Sequence, residues 1–200
     1  MNNQTSSLEF SHFPVMLNEV LKISSPSEGG TFIDCTFGGG GYSKEILKFS
    51  NTKVIAIDRD KNVISIARKF EKKFPKRFKF YRKKFSQLDI VSKDYADVII
   101  FDLGLSSIQL NDLERGFSFK SEHNLDMSMG INEISALDVI NKLSEKNLKS
   151  VIKILGEEKD ASRIAKNIVK ARSISQIVKV DQLVDIIKKS KRNYNKNINP

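Results

Sequence analysis

The sequence contains no tryptophan, one cysteine, two histidines and four prolines in 200 residues. A lone Cys35 cannot close an internal disulfide, and beside only His12 and His123 it makes no zinc set, so no resident metal is expected. One unpaired cysteine also fits a reducing, intracellular compartment. No apolar run approaches the length of a membrane span, and the start, MNNQTSSLEF, lacks a basic segment followed by an apolar one. A soluble cytoplasmic protein with no membrane partner is therefore expected. Acid is the scarcer charge. Against 24 Asp and Glu stand 34 Lys and Arg, a net charge of +10 and a pI of about 9.6. A field of that sign favours polyanions and points to a nucleic-acid partner, although a solvated surface rich in Lys and Asn would show the same sum. At 40% hydrophobic residues there is enough for one real core, or one plus a small insert. No internal repeat appears.

What is present begins with residues 31–43, TFIDCTFGGGGYS. A short apolar run ends in Asp34, turns through four glycines and enters a helical pattern over residues 42–49. A buried strand that turns this way presents bare amides and a helix start to whatever lies above the sheet, which suits a nucleotide-like cofactor. Glycines alone are a weak sign. The next strand, KVIAID, is almost continuously apolar, as a parallel sheet covered on both faces requires. It ends in Asp58, 20 positions after Gly38, the offset at which a dinucleotide-binding unit places the carboxylate that takes the ribose hydroxyls.

Asp60 is placed to cap a helix carrying Val63, Ile66, Ala67, Phe70 and Phe74 on one side, stopped by Pro75. Residues 68–84 hold ten Lys and Arg and one acid, Glu71, interleaved with Phe and Tyr. Such interleaving can read single strands; here the aromatics fit the inner face of a helix and of a strand over residues 78–82, leaving a basic outer surface. Phe85, near that strand's end, could lie against an adenine ring or in the core. A fourth strand, residues 96–102 (ADVIIFD), ends in Asp102. Acids at the ends of three strands, Asp34, Asp58 and Asp102, would share one rim, where open α/β sheets bind ligands. Right-handed crossovers favour the order 3-2-1-4.

Residues 103–130 show little periodicity and are long for a connector, which marks them as functional. Helical stripes follow: Leu148, Val151, Ile152 and Leu155, closed by Gly156; Ile164, Ala165, Ile168 and Val169; and Leu183, Val184, Ile186 and Ile187, with Asp181 placed to cap. The organisation expected is an α/β cofactor part over residues 1–104 and a motif-rich loop with a small helical domain over 105–200.

HFPVMLNEV, DCTFGGGGYS, AIDRD, DLGLSSIQL, RGFSF, LDMSM and GEEKDASRIA occur in this order. Together they resemble the bacterial RsmH (MraW) methyltransferases over nearly the whole chain from His12. The resemblance implies a Rossmann-like class I methyltransferase sheet with an inserted helical domain. It implies transfer of a methyl group from S-adenosyl-L-methionine to the N4 amine of a cytidine in the decoding region of small-subunit ribosomal RNA, free or in the 30S particle. Carried over residue by residue, it implies cofactor contacts from Gly40, Gly41, Tyr42, Asp58, Phe85, Asp102 and Gln109. Two positions depart from the family: Tyr42 stands where His is usual, and Ser128 replaces the Arg of the LDMRM pattern.

The amine of cytosine is a poor nucleophile until acceptors hold it in line and take its proton. Asp102 is the candidate for that catalytic role, with orientation of the cofactor as its alternative. Covalent attack by Cys35 is disfavoured because the residue lies inside the cofactor turn. Two other functions stay open on the residues alone: an NAD-dependent dehydrogenase, and a truncated RNA-binding protein without turnover. The family continues beyond an HPA-like step that Asn199-Pro200 begins, so the residues here are expected to be a fragment with the sheet incomplete and strand four at an open edge. A homodimer could cover that edge.

Overall fold

The computed structural model describes residues 14–92, 95–131 and 134–192; His12 and the Asn199-Pro200 step lie outside them. Four apolar runs pair side by side as parallel strands, β1 (Gly30–Asp34), β2 (Thr52–Asp58), β3 (Phe78–Arg82) and β4 (Val98–Ile100). Their order is β3-β2-β1-β4, the α/β arrangement that right-handed crossovers predict. Register sets Ile33 between Ile55 and Ile99, and Asp58 beside Arg82. All four strands therefore point their carboxyl ends at one rim.

Alternation along the strands divides the side chains between two faces. Phe32, Val54, Ala56, Phe78 and Ile100 join one buried cluster with residues of α1 (Leu17–Ser24), α2 (Gly41–Ile46) and α3 (Ile64–Lys73). Ile33, Cys35 and Ile57 join another with Leu88 and Val91 of α4 (Leu88–Val91). The aromatics of residues 68–84 turn inward: the rings of Phe70, Phe78 and Phe80 lie 5.4, 5.6 and 5.6 Å from Phe37. Such clustered rings add edge-to-face attraction to the area they bury.

Two elements are shorter than their apolar patterns suggest. β4 stops at Ile100 rather than at residue 102, because the Asp102 amide donates to the side-chain oxygen of Thr36 at 2.8 Å instead of to a strand carbonyl. Outside β1, β4 meets no further strand among the described residues, and Ile99 and Phe101 remain about half exposed. α2 ends at Ile46 because side chains take the carbonyls that would continue it. Thr52 donates to Ile46 and Phe49, and Arg77 donates to Leu47 and Phe49.

The chain divides into two compact units, one ending at Ile108 and the next beginning at Gln109. α5 (Ser107–Asn111) spans that division. The second unit is helical: α6 (Ala136–Lys142), α7 (Glu145–Leu155), α8 (Ala161–Arg172) and α9 (Val180–Ser190). Leu125, Ile140, Leu148, Ile164, Ile168, Ile177 and Val180 form its core. α6 starts with a reciprocal cap: the Asp138 amide donates to Ser135 Oγ and the Ser135 amide to Asp138.

Asp181 does not cap α9. The helix begins two residues earlier than that role requires, and Gln182 Oε1 accepts from the amides of Val178 and Lys179 at 2.9 and 3.0 Å. Asp181 falls in the first turn, where a carboxylate still complements the helix dipole. Residues 103–130, irregular in sequence, hold only α5 and one 3-10 turn (Leu113–Arg115) as helix.

Candidate cofactor-binding site

Beyond β1 the chain has to reverse within a few residues, and each acid at the rim is built into that turn. Asp34, fully buried, accepts from Ser43 Oγ at 2.6 Å and from the Thr36 amide at 3.2 Å. Asp58 accepts from the Gly38 amide at 2.8 Å on one oxygen and from the Asp60 amide at 2.9 Å on the other. Asp102 is tied to the same turn through Thr36. The structure thus brings Asp34, Asp58 and Asp102 to residues 34–43 from the ends of three neighbouring strands.

The glycines differ in what they do. Gly40 has φ 78°, and its amide donates to the Phe37 carbonyl at 2.7 Å. A Cβ there would meet the rings of Phe37 and Phe70 at 2.8 Å. Gly41 lies under the Pro14 ring, which an added Cβ would approach to 2.3 Å. Over Gly39 and Gly104 there is nothing within 4 Å. The first helical bond of α2 runs from the Lys44 amide to the Gly40 carbonyl, so the amides of Gly41 and Tyr42 have no acceptor within the helix.

Tyr42 is buried, and its hydroxyl donates to the Val15 carbonyl. With Pro14 on Gly41, that bond pins residues 14 and 15 against the glycine turn. Burial pushes the Tyr42 phenol up, and the Asp102 and Asp34 carboxylates add to the rise. Nothing in local spacing pairs residues 27 apart, so no sequence signal could have found this tie.

Phe85 is half exposed just past β3, and its ring meets Phe101 edge-on at 5.6 Å. Phe101 is a rim residue that strand pattern alone hides, because it reads as one more apolar residue of β4. Its place beside Asp102 is the signal that was available. Gln109 is buried within α5 and belongs to the second unit.

Two motifs of the second unit also come together. The Met127 amide donates to the Arg115 carbonyl at 2.9 Å, and the Arg115 guanidinium donates to the Ser128 carbonyl at 3.0 Å. Ser128 Oγ donates to Asp126 at 2.9 Å. Two acids of GEEKD are tied to the residues after α9: Glu158 pairs with Lys191 at 2.8 Å, and Asp160 accepts from the Arg192 amide at 3.1 Å. Among the described residues no group of His, Cys, Asp and Glu could hold a metal ion, and no helix is long and apolar enough to cross a membrane.

Burial pushes the Asp34 carboxyl up to about 6; the Ser43 and Thr36 donors oppose it and the Asp58 charge adds to it. Burial likewise raises Asp58, against the pull of the Asp60 and Gly38 amides. The Cys35 thiol is pushed up to about 11 by burial and then by Asp34, so it stays protonated and is a poor nucleophile. Asp34 carries a pH signature. A carboxyl whose folded pKa of about 6 exceeds its ordinary 3.8 favours the fold most below the lower value. That contribution is lost as pH climbs to about 6, and it amounts to about 3 kcal/mol. In urea denaturation from pH 4 to 6.5, which covers most of that range, the stability of the unaltered chain relative to Asp34→Asn is expected to fall by about 2 kcal/mol. A flat difference would refute the assignment.

The sequence model of the MraW methylase family matches residues 9–200. Ribosomal RNA small subunit methyltransferase H of Orientia tsutsugamushi (strain Ikeda) is 44% identical over 181 residues, 90% of this chain and 58% of that protein. The protein of the same name from Rickettsia massiliae (strain Mtu5) is 43% identical over 181 residues, 90% of this chain and 59% of its own length. That of Rickettsia canadensis (strain McKiel) is 42% identical over 184 residues, 92% of this chain and 60% of its own. The chain spans about three fifths of the length of these relatives.

Proposed function

Because this chain belongs to the MraW methylase family, we propose that it binds S-adenosyl-L-methionine and serves in methylating the N4 amine of a cytidine in the decoding region of small-subunit ribosomal RNA. The cytoplasm is the compartment where such a substrate is met. In this reading the unit ending at Ile108 takes the cofactor and the helical unit contacts the RNA.

The observation that carries the reading is Asp58. It sits at the end of β2, each oxygen oriented by one backbone amide, and a carboxylate oxygen so bonded keeps a lone pair for a ribose hydroxyl. The open space over Gly39 and Gly104 fits a cofactor laid across the turn. The amides of Gly41 and Tyr42 suit the methionine carboxylate. The half-exposed Phe85 ring offers an apolar surface to adenine. S-adenosyl-L-methionine, when bound, supplies a methyl group made electrophilic by its sulfonium.

The chain's own task is to aim the amine. Asp102 accepts a hydrogen bond from the cytidine N4–H, holds the amine toward the methyl donor, and takes up the proton as the nitrogen is alkylated. Thr36, bonded to the Asp102 amide, keeps that carboxylate in register with the glycine turn.

Calorimetric titration is expected to give binding of S-adenosyl-L-methionine and none of NAD; a preference for NAD would replace this reading with a dehydrogenase. Methyl transfer from labelled cofactor to unmethylated small subunits is expected to fall about 100-fold or more in Asp102→Ala, with cofactor affinity kept within tenfold. Cofactor binding with no transfer by the unaltered chain would favour an RNA-binding role without turnover.

A further inference from the structure

The positive charge of the first unit is concentrated rather than spread. Up to Ile108 the chain carries 17 Lys and Arg against 12 Asp and Glu, and ten of those cations but one acid fall within residues 68–84. The rest of the unit holds seven cations against eleven acids. A general enrichment in lysine would raise the charge everywhere; here the remainder is net acidic. The stretch 68–84 comprises most of α3, the turn at Lys76 and the edge strand β3.

Its cations stand on a stiff support. Phe70 packs on Phe37, Phe74 and Phe78, and Phe78 also packs on Phe37, which turns the aromatic face of α3 and β3 inward. Arg68, Lys69, Lys72, Lys73, Lys76 and Lys79 are exposed. Among the described residues none of the six forms an ion pair. Glu71, the one acid, accepts from the Phe80 amide at 3.3 Å. Lys73 and Lys79 lie over the rings of Phe74 and Tyr81, 5.5 and 4.9 Å from the centroids, which restrains two flexible stems. Arg77 is no part of the set, since its guanidinium is occupied by the carbonyls that close α2.

We propose that this outer face of α3 and β3 docks the phosphate backbone of the RNA substrate. The proposal rests on the methyltransferase reading above and deepens it. Five of the six cations are lysines, compact charges that suit contact with single phosphates irrespective of sequence. Like charges held this close repel one another, and a polyanion relieves the repulsion while releasing its own counterions. β3 leads from the patch to the rim: Arg82 lies beside Asp58 in register, and the Lys83 amide donates to the Asp58 carbonyl at 3.1 Å. A strand of RNA held along β3, about 16 Å for five residues, is thereby led to the edge that carries Asp58.

The test is binding of an in vitro transcript of small-subunit ribosomal RNA, followed by fluorescence anisotropy across a salt series. Lys69→Gln/Lys72→Gln/Lys73→Gln is expected to reduce the slope of log K against log salt by about 2, and affinity at 0.1 M salt about 100-fold. The charge-conserving Lys→Arg triple should keep both, and Lys79→Gln alone should lower the slope by about 0.7. Lys22→Gln/Lys44→Gln/Lys48→Gln removes equal charge from exposed positions of the same unit outside the stretch and should lose less. Unchanged uptake of S-adenosyl-L-methionine by the Gln triple is expected. Equal losses in the two Gln triples would reduce the patch to net charge and overturn the proposal, as would RNA binding untouched by the α3 triple. Vesicles containing phosphatidylserine whose binding falls in the α3 triple while RNA binding does not would overturn it in favour of a membrane. Failure of the unaltered chain to bind RNA refutes the substrate reading itself.

Discussion

Asp58→Ala is expected to weaken S-adenosyl-L-methionine binding about 1,000-fold. Two effects add. In the proposed complex the carboxylate's hydrogen bonds to ribose hydroxyls would be charge-assisted, each contributing about 1.5–3 kcal/mol. The substitution also strips the acceptor from the amides of Gly38 and Asp60, so the turn that should receive the methionine end loses its tether to β2. Calorimetry reads the affinity, and amide exchange at Gly38 reads the tether. Asp58→Asn separates the two, because its single carbonyl oxygen can keep one backbone donor while the charge is gone. An Asp58→Ala protein that binds the cofactor within tenfold of the unaltered chain refutes the site.

Gly40→Val is expected to destabilise the first unit by on the order of 5 kcal/mol. Gly40 has φ 78°, a left-handed conformation that costs an ordinary residue about 1–2 kcal/mol and a β-branched one more. Its Cβ would stand 2.8 Å from Phe37 and Phe70. Those rings are wedged against Phe78, and overpacking a core of that kind costs about 1–3 kcal/mol. Thermal melting followed by near-ultraviolet circular dichroism measures the loss. Gly40→Ala in a Phe70→Leu background divides it: the smaller side chain relieves contact but not φ, so only part of the stability should return. Full recovery would mean that the backbone conformation costs nothing.

Gly40 also illustrates how much of the site could be read before the fold. Its place in a run of glycines after a strand pointed to a tight turn into a helix, and that turn is there. That this glycine lies over two aromatic rings, its amide on the Phe37 carbonyl, is a fact of packing between elements. The same holds for Tyr42, whose hydroxyl reaches the Val15 carbonyl, and for Arg77, which closes a helix some 30 residues before it.

By itself the sequence determined the four strands, their order and the acids that end β1 and β2. Apolar runs and helical stripes are local records of which face is buried, and the handedness of crossovers leaves little choice in assembling them. Only the tertiary structure decided which amide, carbonyl or ring each side chain meets: Asp58 on Gly38, Thr36 on Asp102, Phe85 against Phe101, Gln182 rather than Asp181 at the head of α9. A hydrogen bond or ring contact needs a partner within a few ångströms, and which distant residue stands there depends on the packing of whole elements, which no periodicity encodes.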